Sequence, residues 1–379
     1  MRFGRALVSA LFACLVLAPP SPAANCRDGI QPNGALYRIC VPEPWNGDVL
    51  VFAHGYVSPL EPVAIPEDQL VLPDGTSIPD LVTGLGYAFA VTSYRDTGLV
   101  IPEAVEDVRE LVDTVFPSEG LYPTRVLLAG ASEGGAVTVL ALEEHPDLFS
   151  GGLAACGPIG SFQRQLDYVG DFRVLFDYFF PRVLPGTAVE IPEELIARWD
   201  DVYVPRVLAA IGANPHATEQ LLRVARAPVD PAVPETVAQT VLGVLWYNVF
   251  GTNDAREKLG GNPYDNTRRW YSGSDNDWRL NLRIQRFRAD PEARRAVAEG
   301  YETSGRLRVP LATLHTTRDP IVPYWHEPLY GLKTLFSGSA LWRAHFRVDR
   351  YGHCAFTSDE VVQALTALVW RVRIAEWLR

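Results

Sequence analysis

Residues 130–134 of the 379-residue chain are Gly-Ala-Ser-Glu-Gly, which matches the pattern Gly-x-Ser-x-Gly. The apolar run 125–129 before them predicts a strand, and the run 134–144 after them predicts a helix. A serine on such a tight turn is strained and exposed, and small residues beside it let neighbouring elements approach. The pattern therefore predicts a nucleophile elbow, with Ser132 as nucleophile and Gly130 and Gly134 as turn residues. The alternative is a glycine-rich turn that only joins a strand to a helix.

A serine hydroxyl is a weak nucleophile unless a base takes its proton. Of the seven histidines, His353 is the best candidate, because it follows the last predicted strand on a loop that can reach Ser132. The base needs an acid that orients it and stabilises the imidazolium. Asp319, shortly after the predicted strand 309–313, is the preferred acid. Asp349 is the alternative, but it stands only four residues before His353, and an acid on a separate loop reaches the base more easily.

Acyl transfer to a serine also needs hydrogen-bond donors for the oxyanion that develops on the substrate. We expect one donor to be the backbone N–H of Glu133, directly after the nucleophile. The other is expected to be the N–H of Tyr56, in the turn after the predicted strand 49–53. A carboxylate on Glu133 would oppose the oxyanion, so we expect this side chain to point away, into solvent or towards an arginine.

Strand and helix patterns alternate up to about residue 160 and return after residue 300. Strands are predicted at 35–41, 49–53, 87–93, 125–129, 151–155, 309–313 and 344–348, and helices at 102–115, 134–144 and 359–378. This rhythm predicts an α/β fold with a mostly parallel sheet of about six to eight strands and helices on both faces. Residues 161–300 carry helical patterns, prolines and aromatic residues. We interpret them as a helical insertion between the two parts of one core, 24–160 and 301–379.

Residues 1–23 have the pattern of a signal peptide: an arginine-containing start, an apolar run at 6–18 that is too short to span a bilayer, and small residues before position 24. We therefore expect a secreted or periplasmic protein. The rest of the chain retains four cysteines, Cys26, Cys40, Cys156 and Cys354. Four cysteines in an exported chain suggest two disulfides with three possible connectivities, and four reduced, buried thiols are the alternative.

The composition argues against several classes of partner. Acidic residues number 45 and basic residues 34, and the net charge of −11 disfavours binding to nucleic acid or to an anionic membrane. No segment after residue 23 has the pattern of a transmembrane helix. The chain has neither a phosphate loop nor a dinucleotide fingerprint, and Asp275 and Asp277 lack EF-hand spacing. We expect no metal ion and no organic cofactor, and the sequence does not determine the oligomeric state.

The chain resembles the α/β-hydrolase superfamily over about 35–160 and 301–379. The resemblance rests on residues 54–56, the elbow 130–135, Asp319 and the pair Gly352-His353. Serine, aspartate and histidine also follow one another along the chain in the order of that superfamily. The resemblance implies a serine hydrolase that works through an acyl-enzyme without a metal ion or organic cofactor. It also implies a lid at the position of the predicted insertion. The form Gly-x-Ser-x-Gly-Gly occurs in the prolyl-oligopeptidase-like branch too, but no propeller-sized segment precedes the core here.

Cys354 directly follows His353. In this placement of a cysteine after the histidine, the chain is similar to the tannase and feruloyl-esterase group. In that group the cysteine pairs with another that precedes the nucleophile, whereas this chain has Ala131 there. Cys156, after the neighbouring predicted strand, is the substitute partner. A Cys156–Cys354 disulfide would fix the His353 loop.

We therefore expect the protein to cleave carboxylic esters outside the cytoplasm, with a small-molecule or polymeric ester as its substrate. We expect no nucleic acid as partner and no stable membrane insertion. Two alternatives remain open: peptide or amide hydrolysis by the same residues, and a non-catalytic binding protein on a hydrolase scaffold. The residues do not identify the acyl group or the leaving group of the substrate.

Overall fold

The computed structural model describes residues 24–378, and an eight-stranded sheet lies at their centre. In chain order the strands are β1 (Asn25–Ile30), β2 (Leu36–Val41), β3 (Asp48–Ala53), β4 (Ala88–Thr92), β5 (Arg125–Ala131), β6 (Gly151–Ala155), β7 (Leu311–Arg318) and β8 (Arg343–Tyr351). Across the sheet they stand in the order β1-β2-β4-β3-β5-β6-β7-β8. The expected signal peptide, residues 1–23, lies outside the described residues.

Most of the sheet is parallel. β1 pairs with β2, and β2 with β4, in antiparallel orientation, whereas β4, β3, β5, β6, β7 and β8 pair in parallel. Parallel neighbours need crossover connections, which the helices between the strands supply. This strand order, with an antiparallel second strand, is that of the α/β-hydrolase fold. The structure thus confirms the predicted fold class.

Helices connect the strands and cover both faces of the sheet. They are α1 (Ile78–Gly84), α2 (Ile101–Glu110), α3 (Phe116–Ser118), α4 (Glu133–Glu144), α5 (Phe162–Phe179), α6 (Glu193–Ala197), α7 (Val204–Ala213), α8 (Pro215–Ala225), α9 (Glu235–Lys258), α10 (Asp277–Arg283), α11 (Pro291–Gly300), α12 (His326–Phe336) and α13 (Ser358–Trp377). Two π-helical segments and two 3-10 turns complete the helical structure, at Leu111–Val115, Trp199–Tyr203, Glu67–Leu70 and Ala340–Trp342.

Side chains of the central strands alternate between two apolar layers. In β3, Val49 and Val51 pack with α2 and α4 on one face, while Leu50 and Phe52 pack with α1 and α13 on the other. Successive side chains of a strand point to opposite faces, so a strand covered on both faces is apolar throughout. This explains why the central strands are continuous apolar runs in the sequence.

The helices α5 to α11 lie between β6 and β7 in the chain. Ala293 and Val297 of α11 belong to an apolar layer of the sheet, whereas α5 to α10 pack around a separate apolar cluster. Its buried members include Phe172, Leu195, Leu221 and Val244. Residues of the expected insertion therefore have a core distinct from the two layers of the sheet. No helix among residues 24–378 combines the length and the apolar character needed to cross a bilayer.

Two strands differ from the pattern-based prediction. The sequence pattern does not predict β1, because its residues are polar and mostly exposed and pair along one edge with β2. β7 begins at Leu311 and runs to Arg318, whereas the predicted strand ends at 313. The extra residues are 314–318, in which the buried polar side chains of His315 and Thr316 find hydrogen-bond partners inside the protein. Asp319 consequently follows the strand directly.

Candidate active site

Ser132 lies between β5 and α4 with φ 56° and ψ −123°, a conformation that is costly for a residue with a side chain. The turn is possible because its glycines have no Cβ. A Cβ on Gly130 would lie 2.1 Å from the carbonyl oxygen of Gly134, and one on Gly134 would lie 2.0 Å from that of Ala53. The two glycines thus let the start of α4 press against the end of β3, and Ser132 stays partly exposed.

Ser132, His353 and Asp319 form a continuous hydrogen-bond chain. Ser132 Oγ donates to His353 Nε2 at 2.8 Å, and His353 Nδ1 donates to Asp319 Oδ2 at 2.7 Å. Asp319 is fully buried, and its Oδ1 accepts hydrogen bonds from the backbone N–H groups of Ile321 and Val322. The three side chains come from positions after β5, β7 and β8, which end at the same edge of the sheet.

Asp349, the alternative acid, lies within β8 and bonds elsewhere. Its Oδ1 accepts a hydrogen bond from Thr317 Oγ1 at 2.8 Å in an exposed position. The structure thus brings Asp319 into contact with His353, while Asp349 bonds to the neighbouring strand.

The loop after β3 lies against the elbow. A Cβ on Gly55 would be 3.1 Å from Ser132 Cβ, so the next residue, Tyr56, stands beside the nucleophile. Among residues 24–378, neither the Tyr56 N–H nor the Glu133 N–H donates a hydrogen bond, and both remain our candidates for the oxyanion hole. Sequence reasoning missed Gln69, which belongs to no motif. Its Oε1 accepts from the Gly55 N–H and its Nε2 donates to the Tyr56 carbonyl oxygen, which fixes this loop.

The side chain of Glu133 points neither into solvent nor towards an arginine, so that expectation is wrong. It is only 6% exposed, and its Oε1 accepts a hydrogen bond from the Val100 N–H, just before α2, at 3.3 Å. Burial raises the pKa of Glu133 to about 8, although the Val100 hydrogen bond and the charge of Lys258 favour ionisation. Glu133 is therefore mainly a neutral acid at pH 7 and places little negative charge beside the oxyanion.

Two cysteine pairs lie at disulfide distance, Cys26 with Cys40 and Cys156 with Cys354. The first pair joins directly opposite residues of β1 and β2. The second joins the end of β6 to the loop that carries His353, and its two cysteines have positive φ values of 47° and 50°. The sulfur of Cys354 lies 3.5 Å from His353 Nε2, so this disulfide contacts the site.

Cys156, His353 and Cys354 are also a group whose metal-ligand atoms lie within 4.8 Å of one another. The two cysteines are bonded to each other and offer no thiolate. His353 is then the only residue of the group that could still be a metal ligand, and one ligand does not hold a metal ion.

A buried chain of charged groups continues behind Asp319, and sequence reasoning missed it. His315 Nε2 donates to the Val322 carbonyl oxygen at 2.8 Å and lies 3.6 Å from Asp319 Oδ2. Its Nδ1 lies 3.4 Å from Glu327 Oε1. Burial opposes the imidazolium, but the hydrogen bond and charge of Glu327 and the charge of Asp319 outweigh it and raise the pKa of His315. Burial likewise opposes ionisation of Glu327, but hydrogen bonds with His315 and His345 hold its pKa well below the usual range.

Two mainly apolar cavities meet at Ser132, which lies in the wall of both. The smaller, of about 130 Å³, extends under helices α5 and α9, and its wall includes Tyr56 and Glu133. The larger, of about 310 Å³, extends towards α1 and α13, and its wall includes His353 and Phe356. For scale, an apolar cavity of about 150 Å³ binds benzene.

No protein-family model matches the chain. In sequence it is 22% identical to o-phthalyl amidase from Xanthobacter agilis, over 92% of this chain and 87% of that protein. In structure it is similar to an esterase from Pyrococcus furiosus, with a TM-score of 0.43 and 13% identity over 94% of this chain and 91% of that one. It is also similar to the acylaminoacyl peptidase of Pyrococcus horikoshii, with a TM-score of 0.44 and 14% identity over 93% of this chain, but it spans only 42% of that peptidase.

The strand order and the elbow define an α/β-hydrolase fold, and the bonded serine, histidine and aspartate have the geometry of a serine hydrolase site. The chain therefore has the α/β-hydrolase fold, with these three residues bonded at the edge of its sheet. The fold does not determine which bond is cleaved, because one scaffold serves many reactions.

We expect Gly134→Ala to destabilise the protein, because its Cβ would overlap the carbonyl oxygens of Ala53 and His54, at 2.0 and 2.5 Å. Overpacking of this kind costs about 1–3 kcal/mol or more. The control is Gly212→Ala in α7, where a Cβ meets nothing within 4 Å. Alanine favours a helix interior there by about 0.5–1 kcal/mol. Urea unfolding measures both variants, and a Gly134→Ala protein as stable as wild type would contradict the packing of the elbow.

We expect Glu327→Gln to lower the free energy of unfolding by about 3 kcal/mol, because it removes the carboxylate that pairs with both Arg343 and the buried His315 imidazolium and leaves His315 only the more distant Asp319. The depressed pKa of Glu327 stabilises the native state above its ordinary value of 4.5, and this contribution is lost as the pH falls through the native pKa. The raised pKa of His315 stabilises it below the ordinary value of 6.5, and this contribution is lost as the pH rises through the native pKa. The loss in the variant should therefore be largest between about pH 5 and 6.5.

Glu219→Gln is the matched control, because Glu219 forms an exposed pair with Arg223. This change should cost less than about 1 kcal/mol. Chemical unfolding of both variants at several pH values measures the free energy of unfolding that each has lost. Equal losses for the two variants, or a loss for Glu327→Gln that does not depend on pH, would show that the buried chain is not charged.

Proposed function

We propose that the protein hydrolyses carboxylic esters through an acyl-enzyme formed on Ser132. The observation that carries the proposal is the unbroken hydrogen-bond chain from Ser132 through His353 to buried Asp319. In this arrangement His353 Nε2 takes the proton of the Ser132 hydroxyl as its oxygen attacks the ester carbonyl carbon. Asp319 orients the ring and stabilises the imidazolium that forms.

The remaining steps use the same groups. The N–H groups of Tyr56 and Glu133 hold the oxyanion of the tetrahedral intermediate. His353 Nε2 gives its proton to the leaving alcohol oxygen, the C–O bond breaks, and the acyl group stays on Ser132. Water then attacks the acyl carbon while His353 takes its proton, the bond from the acyl carbon to Ser132 Oγ breaks, and His353 returns the proton to Oγ, which releases the acid and free Ser132. The neutral Glu133 side chain supports this sequence, since it does not oppose the oxyanion.

The two cavities suggest where the two halves of the substrate bind. The leaving group must lie within reach of His353, which protonates it. His353 is part of the described wall of the larger cavity and is absent from that of the smaller one. We therefore assign the leaving group to the larger cavity and the acyl group to the smaller cavity under the lid. The mainly apolar walls favour apolar groups on both sides of the ester.

We also propose that the reaction takes place outside the cytoplasm. Residues 1–23 have the pattern of a signal peptide, and two cysteine pairs lie at disulfide distance. Disulfides persist in oxidising compartments, which supports a secreted or periplasmic protein.

Amide hydrolysis by the same residues is a second candidate function. The similarity to o-phthalyl amidase over 92% of the chain favours it. The two reactions differ in the leaving group, because an amine must be protonated as it departs. An amidase therefore needs His353 Nε2 next to the leaving nitrogen.

We expect the protein to hydrolyse p-nitrophenyl esters of short acids, and Ser132→Ala to abolish this turnover. Asp319→Asn should lower kcat by about four orders of magnitude, because the histidine then adopts the wrong tautomer. Asp349→Asn is the matched control and should keep nearly full activity, since Asp349 bonds to Thr317 and not to His353. Steady-state release of p-nitrophenol measures all three variants. A fully active Asp319→Asn protein with an inactive Asp349→Asn protein would show that the acid is Asp349.

Matched p-nitroanilides decide between the two candidate functions. Serine-dependent turnover of the esters with little turnover of the anilides supports the esterase proposal. Equal or higher kcat/KM for the anilides would replace it with amide hydrolysis. No serine-dependent turnover of either series would contradict catalysis and leave a binding protein on a hydrolase scaffold.

A further inference from the structure

Glu133 and Tyr56 both line the smaller cavity, and each carries one polar atom that is unpaired. Glu133 Oε2 and the Tyr56 hydroxyl oxygen are both buried, and neither has a hydrogen-bond partner among residues 24–378. A buried polar atom without a partner costs about 1–3 kcal/mol. The rest of this wall is mainly apolar, so the pair indicates a ligand group that bonds to both atoms.

The surroundings of Glu133 make its free oxygen a hydrogen-bond donor. Oε1 accepts from the Val100 N–H, so the acidic proton belongs on Oε2. Burial disfavours the carboxylate, and the charges of Asp254 and Glu103 add to this effect. Lys258 acts in the opposite direction, but it is paired with Asp254 at 3.0 Å.

The other titratable groups close to Glu133 are tyrosines, namely Tyr56, Tyr94, Tyr247 and Tyr301. Burial raises the pKa of each of them, so all four stay neutral up to high pH. The hydroxyl of Tyr56 is therefore a second neutral donor beside Glu133.

We propose that the Glu133 carboxyl and the Tyr56 hydroxyl bind an uncharged carbonyl oxygen on the acyl part of the substrate. A carbonyl oxygen has two lone pairs and accepts one hydrogen bond from each donor. The described wall of this cavity contains no lysine or arginine, so an acyl carboxylate would be buried without a counter-charge. The inference rests on the proposed function, because it takes the smaller cavity as the acyl site.

The volume of the cavity limits the acyl group that carries this carbonyl. At about 130 Å³ it is close to the size that holds a single benzene ring. The substrate class is therefore an ester, or an amide, of a compact keto acid or of a similar acid with a neutral carbonyl group.

Two esters of nearly equal shape test the proposal: p-nitrophenyl 4-oxopentanoate and p-nitrophenyl 4-methylpentanoate. At carbon 4 of the acyl chain, the first ester carries a carbonyl oxygen and the second carries a methyl group. The ratio of their kcat/KM values, divided by the ratio of their alkaline hydrolysis rates, is the readout. Because this ratio is formed within each variant, a general loss of activity does not affect it.

We expect the wild-type protein to prefer the 4-oxo ester by about tenfold or more, which corresponds to one or two hydrogen bonds. Tyr56→Phe and Glu133→Met should each lower the preference severalfold. Glu133→Gln should retain it, because the amide N–H still donates. Tyr247→Phe is the control, since Tyr247 lines the same cavity and should leave the ratio unchanged.

A pH series separates recognition from a merely structural role. The pKa of Glu133 is about 8, so raising the pH from 7 to 9 removes the donor proton from most molecules. The wild-type preference should fall over this range, while the preference of the Glu133→Gln protein should stay constant.

The outcomes separate this inference from the proposed function. Serine-dependent turnover of both esters without a preference for the 4-oxo ester would overturn the inference and leave the esterase proposal intact. A preference lost in Tyr247→Phe and kept in Tyr56→Phe would also overturn it. No Ser132-dependent turnover of either ester or of the matching anilides would overturn the proposed function and the inference with it.

Discussion

The close backbone contact at Gly134 is the constraint on which the rest of the site depends. Because Gly134 has no Cβ, the start of α4 lies against the carbonyl oxygens at the end of β3, and Ser132 is held with positive φ. The contact requires β3 and β5 to be neighbouring parallel strands. The residues after β7 and β8 reach the same place because parallel strands end at one edge of the sheet. The hydrogen-bond chain from Ser132 to Asp319 thus follows from the sheet as well as from its own residues.

The two buried glutamates near the site have opposite net pKa shifts, although burial disfavours the carboxylate form of both. Glu133 and Glu327 are both almost fully buried, so their partners make the difference. Glu133 receives one backbone hydrogen bond, and desolvation keeps it neutral. Glu327 faces His315 and His345, and these hold it ionised. A fixed chain of charges therefore stands behind Asp319, while Glu133 places no full negative charge beside Ser132.

Helices from different parts of the chain contribute the walls of the two cavities at Ser132. Helices α5 and α9 form part of the smaller cavity, and α1 and α13 border the larger one. The Cys156–Cys354 disulfide ties the His353 loop to the end of β6, so His353 keeps its position in the wall of the larger cavity. Under the proposed function, the lid selects the acyl group and the core selects the leaving group. The choice between an ester and an amide then depends on how the leaving atom lies against His353.

The sequence by itself determined the α/β class, most strand positions and the elbow, because these depend on local apolar periodicity and on adjacent glycines. It also singled out Ser132, His353 and Asp319, which the structure joins by hydrogen bonds. Only the tertiary structure decided the polar edge strand β1, the buried chain from His315 to Glu327, the role of Gln69 and the burial of Glu133. Each of these depends on desolvation or on partners from distant segments. Protonation and pairing are set by such long-range contacts, which leave no local pattern in the sequence.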